Sequence, residues 1–283
     1  MIKLEHTEVV GWEAAIRGMR NPMNSWEKSD SGTCSKLHWD VDCDCEDPEN
    51  CSCLDCDDFI IGPKDKELMM KLRNAGTDHR KFMRMIVVYV DITAPLYWWK
   101  EFKTYRAGRR FGDDEPDIID DGYLECDIET NSCSTMHKIH EKEFTLEDFS
   151  CEHLTKGSIA VLEDTINALN EARIWYLGWD YMSEKNRENF DPGITCNKDL
   201  WWQMIQLLPS SYNQKRTVML NYEVLANIYK SRKNHKLDEW VDFCKWIESL
   251  PYSELITGVS LKDVPICNEI MEEAKRRVTN EED

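Results

Sequence analysis

The sequence predicts an α+β chain, with strands gathered in its first half and helices in its second. Three observations carry that expectation. KFMRMIVVYVDITA, residues 81–94, is rich in Ile and Val and reads as a strand. From residue 157 onward, apolar positions recur at helical spacing in segment after segment. Strands early and helices late, with no Pro/Gly/Ser-rich linker and no internal repeat, give an α+β chain whose length suits one large domain or two smaller ones.

Taken in order, residues 1–33 read as a strand, a short helix through WEAAIRGM and a turn at Asn21-Pro22. Residues 34–58 form an insertion dense in Cys and Asp. KDKELMMKLRNAG carries Leu68, Met69 and Leu72 at helical spacing and stops at Gly76, a residue that ends helices well. After the 81–94 strand, Pro95 suits the first turn of a helix. Residues 109–130 form an acidic insertion with a short hairpin. Thr145 with Asp148 makes a capping pair for a small helix. The remaining helices are expected at about 157–176, 198–208, 212–232, 236–248 and 261–278. For the 212–232 helix, Ser211 with Gln214 offers a capping box after Pro209.

Bulk composition narrows the function classes. The chain has 283 residues, 41% of them hydrophobic, enough for a substantial core. Its 35 basic and 54 acidic residues give a net charge of −19, a field that repels phosphate backbones and argues against a nucleic-acid polymer as ligand. A small anion in a local basic pocket remains compatible with that field. No run of eighteen apolar residues suggests a membrane span, and MIKLEHTEVVGWEAAIRG lacks the apolar stretch of a signal peptide. The expectation is a cytoplasmic protein whose twelve cysteines are mostly reduced.

Two segments stand out chemically. PLYWWKEFKTYRAG, residues 95–108, interleaves Tyr97, Trp98, Trp99, Phe102 and Tyr105 with Lys100, Glu101, Lys103 and Arg106. Such a helix is half buried, either in an interface or beside a pocket where rings and charges meet a ligand. The later run TVMLNYEVLANIY is apolar nearly all round, so its Asn221 and Asn227, and the Arg232 that follows, need partners. At about 100° per residue Asn221, Leu225, Ile228 and Arg232 share a stripe. A neighbouring loop, a second subunit or a ligand could satisfy it.

Three segments, in this order, resemble the flavin-dependent thymidylate synthases. VDITAPLYWWKEFKTYRAG keeps that family's strand, Ala94-Pro95 and following helix; where the family has an Arg-His-Arg signature, this chain has Thr104-Tyr105-Arg106. In NSCSTMHK, Asn131 and Ser134 fit the family pattern, while Ser132 stands where Glu is usual and Met136 where Arg is usual. LLPSSYNQKRTVMLNYEVLANIYKSR reproduces the spacing of Leu208-Pro209, Asn221, Asn227 and Arg232 without a gap, with Ile205 in place of an arginine.

The resemblance implies a single ThyX-like domain over 1–283, a central mixed or antiparallel sheet with a helical second half. It implies FAD in a cleft between subunits of a homotetramer, a pyrimidine nucleotide such as dUMP as substrate, and folate and NADPH as co-substrates. Arg232 matches the arginine that polarises the pyrimidine. His79, Tyr105, Arg106, Asn131, Asn221 and Asn227 fall on the flavin side, and His79 equally suits a turn or cap. Lys100, Glu101, Ser134, His137 and Lys138 fall on the substrate side, the cations compensating for arginines absent at Thr104, Met136 and Ile205. Outside the resemblance lies Cys34-x3-His38 followed by Cys43, Cys45, Cys51, Cys53 and Cys56. Zinc, a reduced surface loop or a redox dithiol would each account for that spacing.

Overall fold

The computed structural model describes residues 2–33, 59–105, 128–188 and 190–258. At its centre is a four-stranded antiparallel sheet in the order β1-β4-β6-β5. These strands are β1 (Lys3–Val10), β4 (Val87–Pro95), β5 (Glu129–Ser132) and β6 (Asn213–Asn221). The two central strands pair along their whole length, from Val87↔Asn221 to Pro95↔Asn213. β1 lies on the other side of β4, with an irregularity between Glu5 and Glu8 where His6 takes a positive φ of 52°. β5 lies on the other side of β6, from Glu129↔Met219 to Ser132↔Arg216.

Alternation along the central strands makes the sheet two-faced. Val88, Val90, Ile92 and Ala94 of β4 and Val218 and Leu220 of β6 are buried on one face. On the other face Tyr89, Asp91, Lys215 and Thr217 stay at least partly open to solvent. Helices cover the buried face. Each central strand turns straight into one, β4 into α3 (Leu96–Phe102) and β6 into α7 (Tyr222–Arg232). Because the strands are antiparallel, α3 and α7 start at opposite ends of the sheet. α8 (Asp238–Glu248) adds Trp240 and Phe243 to the Trp98, Trp99 and Phe102 of α3. Trp98 stacks on Phe102 at 4.7 Å between centroids and tilts against Trp240 at 4.8 Å. Each such ring removed from water contributes about 1.5–3 kcal/mol, so this cluster dominates the local core.

The remaining helices are α1 (Trp12–Arg20), α2 (Pro63–Asn74), α4 (Lys156–Gly178), α5 (Glu184–Glu188), α6 (Asn197–Leu207) and α9 (Glu254–Thr257). α4 and α6 build a second core from Leu162, Ile166, Leu169 and Met204 with Phe144 and Phe149. The expected Thr145–Asp148 capping pair is present, on the turn Leu146–Asp148. A two-stranded hairpin of β2 (Gly32–Thr33) and β3 (Phe59–Ile60) flanks the cysteine-rich segment. Asp65 of α2 ties that hairpin's approach to α1: Arg20 Nε donates to it at 2.6 Å, as do the hydroxyls of Ser29 and Ser31. Gly62 is required beside this joint, since a Cβ there would sit 2.2 Å from the Asp30 carbonyl oxygen.

The helix expected over 212–232 is corrected in its first half. Residues 213–221 are a strand, and the helix starts only at Tyr222. Gln214, Arg216, Val218 and Leu220 are buried in alternation, a repeat of two that belongs to a strand and not to a helix. The cap is accordingly Asn221, whose side chain accepts from the Val224 N–H, and not Ser211 with Gln214. The strand expected over 81–94 is also trimmed, because Arg80–Met85 is a 3-10 helix. Most of the acidic insertion, the helix expected over 261–278, and Arg106, Cys43, Cys45, Cys51, Cys53 and Cys56 lie outside the described residues. Among the described residues, no helix is long and apolar enough to cross a membrane.

Candidate active site

α3 and α7 run inward from opposite ends of the sheet, and their last turns meet. Arg232 closes α7, and its Nε donates to the Tyr105 hydroxyl. Its Nη2 lies 2.8 Å from Glu101 Oε2. The guanidinium also sits 4.8 Å from the Trp240 ring and 5.5 Å from that of Tyr105. Glu101 is 46% exposed as a side chain, but Oε2 itself is sealed, and the two groups meet as charges without an aligned hydrogen bond. Arg232 is thus brought against Glu101 and Tyr105, which lie more than a hundred residues earlier in the chain. Lys100 stays exposed on the outer side of α3.

A second group forms where β6 turns into α7. Glu223 is fully buried and holds two guanidinium groups, Arg80 at 3.0 Å and Arg84. Arg80 Nη2 also donates to Asn227 Oδ1 at 3.0 Å. Glu223 and Asn227 are one helical turn apart and so present one face to the 3-10 helix 80–85. Asn221 caps the same helix and is 8% exposed; its Nδ2 has no acceptor among the described residues. His79 precedes the 3-10 helix and is exposed. Sequence reasoning missed Glu223, Arg80 and Arg84. The signal was there: a carboxylate inside an otherwise apolar helix needs a cation, and Arg80 and Arg84 stand four apart.

The third group stands apart from both. Asn131 is exposed on β5, opposite Thr217, on the open face of the sheet. Ser134 Oγ accepts from the backbone N–H of Met136 and His137, at 3.3 and 2.9 Å, and so shapes a turn. His137 is exposed, and Lys138 pairs with Glu141. Among the described residues no hydrogen bond or ion pair joins these side chains to the Arg232 cluster. Of the three positions where the resemblance expects arginine, Thr104 and Met136 are exposed and Ile205 packs against the second core. Among the described residues no three His, Cys, Asp or Glu side chains converge as a metal site.

Tyr97 donates to Glu239, and burial together with that carboxylate raises its phenol well above the ordinary range. Burial and the Glu248 carboxylate push Tyr229 up to about 12. Neither phenol serves as a base near neutral pH.

The architecture, an antiparallel sheet with strand-to-helix turns whose helices close over one face, defines an α+β fold of a known kind. No family model and no curated protein matches the sequence. Solved structures do match. Thymidylate synthase X (ThyX) from Helicobacter pylori, crystallised with FAD and dUMP, superposes with a TM-score of 0.52 at 16% identity, covering 91% of this chain and 98% of that one. A second crystal structure of the flavin-dependent thymidylate synthase from the same organism, also with FAD and dUMP, gives 0.51 at 17% identity with the same coverage. This chain therefore has the ThyX fold, as a divergent example, and the expected α+β architecture is borne out.

Proposed function

We propose that the chain is a flavin-dependent, thymidylate synthase-like enzyme that methylates or hydroxymethylates a pyrimidine deoxynucleotide such as dUMP at C5, drawing on folate and NADPH. The observation that carries this reading is the meeting of Arg232, Glu101 and Tyr105 at the ends of α3 and α7, in a fold shared with a ThyX crystallised with FAD and dUMP. A guanidinium donates and a carboxylate accepts. Together they complement the edge of a pyrimidine, where carbonyl or imine acceptors flank an N–H donor. Contacts to Glu101, Tyr105 and Trp240 fix the guanidinium plane in advance, the condition under which it stabilises charge developing on a ring at little reorganisation cost.

The residues near Asn221 fit a flavin. An isoalloxazine edge presents carbonyl and imine acceptors beside an N–H, and carboxamides can meet both kinds of group. Asn221 keeps Nδ2 as a donor, and the exposed His79 lies on the 3-10 helix's approach to the same α7 turn. Bound and reduced, a flavin would supply the hydride that completes the transferred carbon. The chain's own part is to hold two flat molecules, orient them and polarise the pyrimidine. Because no hydrogen bond or ion pair among the described residues joins Asn131, Ser134, His137 and Lys138 to the Arg232 cluster, the reading includes a homo-oligomer, a tetramer by resemblance, in which a second copy completes the site. It treats 1–283 as one domain with insertions at 34–58 and 109–130.

A second reading has its own support: a non-catalytic oligomer that retains the fold. Arg232 is neutralised by Glu101, and Asn227 is engaged by Arg80. One experiment separates the two. The visible absorption spectrum of the purified protein is recorded with and without FAD and dUMP, followed by mass spectrometry of the nucleotide after turnover. Flavin bands that shift on adding dUMP, with a product heavier by one carbon unit, are expected; a protein that stays colourless with added FAD favours the non-catalytic oligomer.

A further inference from the structure

On the helix-covered face of β6 two residues break the apolar pattern, Gln214 and Arg216. Arg216 is 8% exposed, between the buried Gln214 and Val218. Its guanidinium lies 4.3 Å over the Trp99 ring. Nε and Nη2 both donate to Gln214 Oε1, at 3.1 and 2.7 Å. Gln214 is held in turn, its Nε2 donating to the Cys133 carbonyl at 2.6 Å and its own carbonyl accepting from Trp99 Nε1 at 3.0 Å. The arrangement orients the guanidinium from two sides and supplies no opposite charge.

Four other arginines of this interior are balanced by carboxylates, while a fifth, Arg73, donates to the carbonyls of Leu255 and Ile256. Arg20 meets Asp65, Arg80 and Arg84 meet Glu223, and Arg232 meets Glu101. Arg216 meets no carboxylate among the described residues, and its Nη1 has no protein acceptor there. Burial without a counter-charge is strongly unfavourable, and stacking on an indole recovers only part of that cost. The guanidinium pKa is lowered by burial accordingly. Across the sheet Arg216 pairs with Ser132, so both side chains lie on one face, and Ser132 sits exposed on the edge strand. An anion arriving over that edge would meet a hydroxyl and then the open nitrogen of an oriented guanidinium.

We propose that Arg216, seated on Trp99 and oriented by Gln214, is the guanidinium that receives the phosphate monoester of the nucleotide. The assignment rests on the nucleotide reading above. It places the charged end of the ligand against the middle of α3, with the base toward Glu101 and Arg232 at that helix's end.

Calorimetric titrations of the full chain and of R216Q and R216K with dUMP and with deoxyuridine test it. The wild type is expected to prefer dUMP over deoxyuridine by about 30-fold, the scale of charge-assisted hydrogen bonds. R216Q should lose that preference while binding deoxyuridine unchanged, and R216K should fall between them for want of a planar fork. Without ligand, R216Q should melt no lower than the wild type, because it removes an unbalanced buried charge; if R216Q does not fold, R216K carries the titration. A preference for dUMP that survives R216Q overturns the proposal. Thermal shift with inorganic phosphate, against chloride at matched ionic strength, separates the two failures. Phosphate stabilisation that disappears in R216Q, with no dUMP binding by any variant, would discard the nucleotide reading and keep the anion site. No phosphate or dUMP binding by the wild type discards the anion site itself.

Discussion

Two guanidinium–carboxylate pairs in this molecule make opposite use of the same chemistry. Between Arg20 and Asp65 both side chains are almost wholly sealed, at 5% and 0% exposure. Every approach to the carboxylate is filled: Arg20, Ser29, Ser31 and the Asp30 N–H all donate to it. Between Arg232 and Glu101 the exposures are 19% and 46%, and the charges touch without an aligned hydrogen bond. A saturated pair joins α1 and α2 and has nothing left to give. An unsaturated pair at the ends of two helices can exchange its partner for a ligand. If the proposed function holds, satisfaction of the lone pairs, more than burial or charge alone, separates a joint from a site.

The comparison breaks most visibly at its sealed member. Asp65→Ala should lower stability by about 3–5 kcal/mol, since it leaves the Arg20 charge buried without a partner. In a chain of this size that is a fall of roughly 10 °C in melting temperature, read by calorimetry. Asp65 also makes the joint sensitive to pH. Burial would raise its carboxyl, but the hydrogen bonds from Ser29, Ser31 and Arg20 outweigh it and hold the group below its usual range. The stabilisation is therefore complete above the unfolded value near pH 4 and lost as pH falls through the lower folded value. Acid titration of wild type and D65N should show that slope in the first and not the second.

Glu223→Gln comes next, at about 1.5–3 kcal/mol, because it weakens charge-assisted bonds to two arginines that are themselves partly open to water. The Arg232 pair should behave the other way round. Glu101→Gln is expected to change stability by less than about 1 kcal/mol, as for other exposed pairs, yet to alter nucleotide affinity measurably by calorimetry. Arg232→Gln should cost about 100-fold or more in turnover with the fold intact by circular dichroism. A large loss of stability in E101Q would erase the distinction between joint and site.

The smallest effect concerns thiols. Burial and the Glu248 carboxylate raise Cys244 to about 11, whereas Cys133 and Cys196 are exposed. Alkylation near neutral pH, followed by peptide mass mapping, should label Cys133 and Cys196 well before Cys244. Equal rates would mean that the second half of the molecule opens more readily than its packing implies.

Much of this was legible in the chain before any coordinates. Local signals placed α1, α2, α4, α6 and α8 within a few residues, because caps, breakers and a repeat of 3.6 are properties of short segments. They also singled out Asn221, Asn227 and Arg232 as polar groups that must be answered, and PLYWWKEFKTYRAG as a segment half in the core. β6 escaped because its apolar run fits a strand and a buried helix alike when both faces of a segment carry apolar side chains. Pairing against β4 decided between them, and such pairing involves residues more than a hundred positions away.

What the sequence determined alone was therefore an inventory: which segments bury themselves, which polar groups they take along, and the order in which these occur. Which group answers which was decided only by the tertiary structure. Two antiparallel strands send their helices toward each other, so Arg232 finds Glu101 and Tyr105, Asn227 finds Arg80, and Arg216 is left on Trp99 without a counter-charge. The reason is physical: propensity and capping act over a few residues, whereas compensation of a buried charge is settled by whatever the folded chain brings within about 4 Å.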